Sequence, residues 1–293
     1  MRSFLKWIAV LAVVGIAVFW FVTTPERLPD TALDGITGDP VRGELVFWAG
    51  GCASCHAAPG SEGDEKLVLA GGERFPSPFG TFVAPNISPD AENGIGGFSD
   101  LDFANAVIHG TTPNGSHYYP AFPYPSYSKA TLQDVADLKA YMDALPESST
   151  PSAPHEVGFP FNIRRTLGAW KFLYGAPDWQ LDPVSDEAVE RGRYLVEVWG
   201  HCGECHTDRD ALGGLVRAAW LEGAPDPSGE GRVPGITPAE LDWSAGDIAY
   251  YLETGFTPDF DSAGGHMARV VQSLANLPPE DRAAIAAYLQ ALP

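Results

Sequence analysis

Cysteine and methionine are scarce in this chain: 293 residues hold four of the first and three of the second. Cationic side chains are also few, 18 Lys and Arg against 38 Asp and Glu. That balance excludes nucleic acid as a partner, because phosphate binding rests on cations. An acidic surface suits a basic protein partner, or serves solubility alone. No nucleotide-binding glycine loop follows a strand, and no nucleophile stands with a matching base, so neither phosphoryl transfer nor hydrolysis is indicated. A β-α-β pattern is lacking too, which removes the setting of a thioredoxin-type disulfide. The length allows two domains of ordinary size, each needing help to build a core.

What is present begins at the amino terminus. Residues 1–24 read MRSFLKWIAVLAVVGIAVFWFVTT, a basic start and then an unbroken apolar run from Trp7 to Val22. That is nearly bilayer length if Lys6 snorkels. Arg2 and Lys6 place this end in the cytoplasm and the remaining chain across the membrane. The competing reading is a cleaved signal peptide. Bulky Phe19, Trp20, Phe21 and Val22 occupy the place where small residues would direct cleavage, which favours an uncleaved anchor.

The rest is duplicated. FSDLDFANAVIHG (98–110) matches WSAGDIAYYLETG (243–255) without a gap, each with a serine N-cap, an aspartate three residues on, and a terminal glycine. TLQDVADLKAYMDALP and PPEDRAAIAAYLQALP are matching closing helices with one apolar stripe. RGELVFWAGG and RGRYLVEVWGH are matching opening helices, and each ends in a C-x-x-C-H pentapeptide: Cys52, Cys55, His56 and Cys202, Cys205, His206. Every cysteine in the chain is thereby used. Each unit reads as an opening helix with its pentapeptide, a long loop, a capped helix, a long loop and a closing helix. The segment 147–182 starts as a Pro/Ser linker, but FPFNIRRTLGAWKFLYG is aromatic enough to pack on one or both units.

At the end of a helix, residues i, i+3 and i+4 converge, so two thiols and an imidazole can meet one object. A haem suits that geometry, its vinyl groups taking the thiols as thioethers and its iron the histidine; C-x-x-C-H is the c-type attachment signature. Zinc would need further ligands beyond each triplet. Two covalently bound c-type haems are therefore expected.

On the segments APNISPDAENGIGGFSD, GSHYYPAFPYPSY, FPFNIRRTLGAWKFLY and RGRYLVEVWGHCGECHTDR, the chain resembles the membrane-bound multihaem cytochrome c subunits of bacterial alcohol, gluconate and related dehydrogenases. The best-known members carry three haems, whereas the cysteines here provide for two. The resemblance implies an all-α fold with two tandem cytochrome c domains behind one N-terminal transmembrane helix: an anchor at 1–24, domains at 25–146 and 183–293, and the packed linker at 147–182 between them.

Axial methionine commonly completes such an iron site. Met267, in SAGGHMARVV, is the expected sixth ligand of the second haem, read as lying in a loop. Counting from matching prolines, Pro258 to Met267 and Pro113 to Phe122, the first unit offers phenylalanine at that place. Met142 falls on the apolar stripe of its helix and reads as core. His109 ends a helix, where its charge suits the dipole. His117 is the remaining candidate for the first iron; the alternative is an open site covered by Phe122. Arg209, after the second pentapeptide, is a candidate partner for a haem propionate or else a solvated loop charge.

The expected function is electron transfer on the periplasmic side of a bacterial cytoplasmic membrane, from a partner dehydrogenase toward a soluble cytochrome or terminal oxidase. The rival expectation is a haem enzyme using an open first haem on a sulfur compound or a peroxide.

Overall fold

A computed structural model describes residues 2–226 and 231–293. Met1 of the expected anchor, and 227–230 of the second unit's first loop, lie outside the described residues. In chain order the helices are α1 (Arg2–Val22), α2 (Pro40–Ala49), α3 (Cys52–His56), α4 (Asp100–His109), α5 (Tyr124–Tyr127), α6 (Leu132–Met142), α7 (Leu167–Tyr174), α8 (Glu187–Tyr194), α9 (Gly203–His206), α10 (Ala245–Thr254), α11 (Gly265–Leu274) and α12 (Pro279–Ala291). The fold is helix-rich as expected. It is not purely α, because each long loop after a pentapeptide folds into a short antiparallel pair: β1 (Arg74–Ser77) with β2 (Gly80–Val83), and β3 (Ala224–Pro225) with β4 (Arg232–Val233).

In each half the opening and closing helices cross where a glycine removes the side chain from between them. A methyl group on Gly43 of α2 would run into the Asp137 carbonyl and Tyr141 of α6. On Gly192 of α8 it would meet the Ala284 carbonyl and Tyr288 of α12. An arginine beside each glycine locks the crossing: Arg42 donates to Asp137 at 2.7 Å, and Arg191 forms two 2.8 Å bonds to Asp281. The halves differ by one residue between that arginine and the first cysteine (Arg42 to Cys52, Arg191 to Cys202). The extra residue is absorbed by a π-helical turn over Leu195–Trp199, the usual accommodation of a helix insertion.

Ser99 and Ser244 cap α4 and α10 through the backbone amides of Asp102 and Asp247, and Gly110 (φ 57°) and Gly255 (φ 78°) end them in the left-handed region. The reciprocal capping box forms only at Ser244. Asp102, like Asp247, accepts from its serine hydroxyl, but it faces Arg27 of the segment after α1 and takes no bond from the Ser99 amide. The closing stripe is buried as read, including Met142 at the place Leu289 takes in the second half.

α1 is unburied along Ser3–Val22, touching the body near its end at Trp20, and is long and apolar enough to cross a membrane. The stretch 147–182 touches both halves. Arg164 donates to the His117 carbonyl and Lys171 to the Gly110 carbonyl in the first. Trp170 bonds the Leu212 carbonyl and Tyr174 bonds Asp210 in the second.

Gly43→Ala and Gly192→Ala are each expected to destabilise the haem-loaded protein by about 2 kcal/mol or more, the scale of overpacking a close contact. Gly158→Ala, whose methyl meets nothing, should stay within about 0.5 kcal/mol. Denaturant unfolding curves of the three variants check the contrast.

Candidate functional site

Each pentapeptide sits on one turn of helix, α3 or α9, directly after the opening helix of its half. The turn into it is left-handed in both: Gly51 has φ 57°, and His201, at the matching place before Cys202, has φ 36°.

The two histidines are held alike. His56 Nδ1 lies 2.9 Å from the Pro85 carbonyl, and His206 Nδ1 lies 2.7 Å from the Pro234 carbonyl. A carbonyl can only accept, so Nδ1 carries the proton and Nε2 keeps its lone pair. Burial pushes both histidines below their ordinary pKa, with the proline carbonyls opposing the shift, which keeps them neutral. A neutral imidazole donating from one nitrogen to a backbone carbonyl is the prepared state of a metal ligand. The proline is delivered by a repeated backbone clasp. Gly71 N bonds His56 O and Ile87 N bonds Leu69 O; Gly223 N bonds His206 O and Ile236 N bonds Leu221 O.

All four cysteines are unpaired. Burial pushes the Cys52 and Cys202 thiols up to about 12 and Cys55 to about 11, and Cys205 moves the same way. A redox C-x-x-C motif or a zinc thiolate needs the opposite shift. The donor set, two protonated thiols with one ligand-ready imidazole in each half, fits thioether attachment of a haem.

The two pentapeptides face each other across the contact between the halves. Cys205 contributes to the upward push on Cys55. Ser54, inside the first pentapeptide, meets the Arg269 carbonyl and the Ser273 hydroxyl of α11, each at 3.2 Å. Glu204, inside the second, takes a 3.3 Å bond from Ser126 of α5. Tyr127, buried in the first half, packs its ring 5.3 Å from Trp199 and 5.6 Å from His201 of the second, close enough to Cys52 and Cys55 for them to add to the upward push that burial gives its hydroxyl pKa.

Met267 lies on helix α11, not in a loop. That helix shows two faces. His266, Arg269, Gln272 and Ser273 contact the first half through Phe75, Glu73, Lys66 and Ser54. Met267, Val270 and Leu274 pack on the hydrophobic core, and Val271 is buried beside them. The counting from Pro113 and Pro258 follows one backbone form as far as Tyr118 and Ala263; beyond them Met267 enters α11 while Phe122 lies in the turn before α5. Tyr118 N bonds Gly110 O as Ala263 N bonds Gly255 O, and the bridge of Thr111 with His117 repeats as Phe256 with Ser262. Phe122 packs its ring 5.8 Å from Tyr127.

His117 therefore matches Ser262, which is exposed on the outer side of its turn. In the first half the same place is roofed by the end of α1: His117 Nε2 donates to the Thr23 carbonyl at 3.0 Å, while its Nδ1 has no partner among the described residues. His109 ends α4 beside Glu26, 3.5 Å away. Arg209 binds Glu204 at 2.5 Å and the Gly213 carbonyl at 2.8 Å.

Sequence reading missed Pro85, Pro234, His201 and Glu197. The prolines carried a signal in the repeat, Pro-Asn-Ile and Pro-Gly-Ile, as did Leu-x-Gly before each. Glu197 is buried in the π turn and accepts from Gln180 N, Leu181 N and the Tyr288 hydroxyl, tying linker and closing helix to the second site. Nothing in one sequence distinguishes it from a surface glutamate.

Helical halves with C-x-x-C-H turns and carbonyl-held histidines define a covalent haem protein of the c type. The family model described as cytochrome c matches residues 40–146. A protein of Cereibacter sphaeroides described as a dihaem cytochrome c-type is 55% identical over 292 residues, covering the whole of this chain and 98% of that protein. The fructose dehydrogenase cytochrome subunit of Gluconobacter japonicus is 38% identical over 260 residues, and the gluconate 2-dehydrogenase cytochrome c subunit of Pantoea cypripedii 36% over 266. Each match covers 86% of this chain but only 52% and 59% of those subunits, so the chain spans little more than half of their length. The chain belongs to the cytochrome c family, among its dihaem members, and carries two covalently bound c-type haems.

Burial lowers the pKa of His201 below its ordinary 6.5. A group depressed on folding gives its full stability above its unfolded pKa and loses it as the pH falls. His201→Asn keeps a residue tolerant of positive φ and removes the titration. Its stability should therefore fall less between pH 6.5 and 5 than that of the unsubstituted protein, read from denaturant midpoints across that range.

Proposed function

We propose that the chain is a membrane-anchored dihaem electron carrier built of two tandem cytochrome c domains, 25–146 and 183–293, joined by the packed linker 147–182. The observation that carries this reading is the pair of opposed pentapeptides with both histidines in the same ligand-ready tautomer. Cys52 and Cys55 would hold the first haem and His56 its iron; Cys202, Cys205 and His206 would hold the second. When bound, each haem supplies a one-electron couple. The chain's part is to fix the imidazoles by the Pro85 and Pro234 carbonyls, to exclude water with buried Tyr127 and Trp199, and to keep the two sites adjacent.

Met267 on the apolar face of α11 would complete the second site. For the first, the Thr23 bond to His117 and the exposure of its counterpart Ser262 favour the reading in which Phe122 covers an iron without a sixth protein ligand. A thioether ligand raises the potential, so the first haem would be the lower and pass its electron to the second. A second reading, catalysis on a small molecule at the first haem, is favoured by the same Phe122.

The relatives named as cytochrome subunits of fructose and gluconate dehydrogenases support a dehydrogenase as donor; the acceptor would be a soluble cytochrome or terminal oxidase. Anchoring in the bacterial cytoplasmic membrane with the haems on the periplasmic side is supported by α1 and by its grip on the body. Arg165 donates to the Trp20 carbonyl, Thr23 and Thr24, contacts that a cleaved leader would not need.

Carbon monoxide should alter half of the ferrous haem spectrum and leave the other half unchanged. Phe122→Met should abolish that binding and raise one midpoint potential in a redox titration. Met267→Leu should lower the other midpoint and open its site to carbon monoxide. Resistance of both haems in the unsubstituted protein would restore His117 as a ligand and remove the catalytic reading.

A further inference from the structure

Helix α7 and the strand of chain before it are amphipathic in the inverted sense. The cation Lys171 is turned inward: its ammonium donates to the His109 and Gly110 carbonyls and lies 4.6 Å over the Tyr124 ring. Burial lowers its pKa to about 8. Gly168 faces inward as well, where a methyl would run into Thr23. The apolar residues point out, with Phe172 76% and Leu173 60% exposed, and Ala169 shares that face. Upstream, Phe159 is 82% exposed, and Phe161 and Ile163 are exposed too. A helix bounded by water shows the opposite arrangement.

This apolar surface adjoins the end of α1. Arg165, one turn before α7, bonds the Trp20 carbonyl at 2.5 Å, the Thr23 hydroxyl at 2.8 Å and the Thr24 hydroxyl at 3.2 Å, and its guanidinium stacks 4.4 Å over the Trp20 ring. Where α1 leaves a bilayer, the headgroup zone is therefore at Arg165, and α7 lies beside it with its aromatic face uncovered. Arginine and tryptophan together at that level are ordinary interface anchors.

We infer that the outward face of residues 159–173 is a membrane-resting surface, seated in the interfacial zone of the same bilayer that α1 crosses. It would act as an in-plane helix lying at the lipid boundary. With α1 it makes two separated attachments, and two attachments fix the orientation of the haem-bearing body relative to the membrane where one helix would leave it free to swing. The inference rests on the anchoring reading.

Its test uses the full haem-loaded chain in phosphatidylcholine–phosphatidylglycerol vesicles, with p-benzoylphenylalanine in place of Phe172, of Phe19 in α1, or of Tyr250, which is exposed on the second half. After illumination, lipid adducts are counted by mass spectrometry. Adducts at 172 and 19, and at least tenfold fewer at 250, are the expected result. Adducts at 19 with none at 172 overturn the inference and leave the anchor standing; absence at both overturns the two together. Adducts at 172 only to a co-purified protein subunit also overturn it, assigning the face to that partner.

Discussion

The contact on which the rest depends is the bare glycine crossing between opening and closing helices. At Gly43 against α6 and at Gly192 against α12 the backbones come so near that no side chain fits between them. The crossing fixes where each opening helix ends, and its end is where the cysteines and histidine begin. An arginine–aspartate bond beside each glycine sets the rotation, with Asp137 fully buried under Arg42. Because the constraint is steric, it is insensitive to what surrounds it. The second half could absorb an extra residue as a π turn between the crossing and the cysteines while its pentapeptide kept the same relation to the Pro234 carbonyl as the first has to Pro85.

The carbonyl clasp is the second level. A thioether pair alone would leave the imidazole free to rotate, and a wrong tautomer would present N–H to the iron. Holding Nδ1 on a proline carbonyl removes both freedoms, and a proline is suited to the task because its own nitrogen has no hydrogen to compete. The hydrogen-bonded return from the pentapeptide histidine through a glycine to that carbonyl recurs bond for bond in both halves. The same economy explains the raised thiol pKa values. Burial keeps the sulfurs neutral where covalent attachment, and not thiolate chemistry, is their use.

What was legible in the sequence follows from these levels. Pentapeptides, glycine-ended caps and apolar stripes are local patterns, so α4, α6, α10 and α12 and the burial of Met142 could be read from spacing. The matching turns after α4 and α10 were legible too, because the stretch from helix cap to Tyr118 and to Ala263 has equal length in both halves. Less legible were features set by contacts between distant segments. Met267 sits on a helix because α11 is stabilised on both faces, one of them by the first half; its loop-like glycines hid this. The place of His117 depends on Thr23, far away in sequence. Asp102 left its capping box for Arg27 for the same kind of reason.

Duplication followed by unequal covering gives the molecule its polarity. The turn after α4 and the turn after α10 share one backbone form, yet residues 23–28, Arg164 and Lys171 close over the first, while the second leaves Phe256 and Phe260 uncovered. A repeated fold offers the same outer surface twice, so attaching the amino-terminal helix to one copy necessarily distinguishes the two. The half under α1 is also the half with Phe122 where the other has Met267. The carbonyl hold on the pentapeptide histidines is the same in both halves, so what distinguishes the two sites is the covering over their turns and not the clasp beneath them.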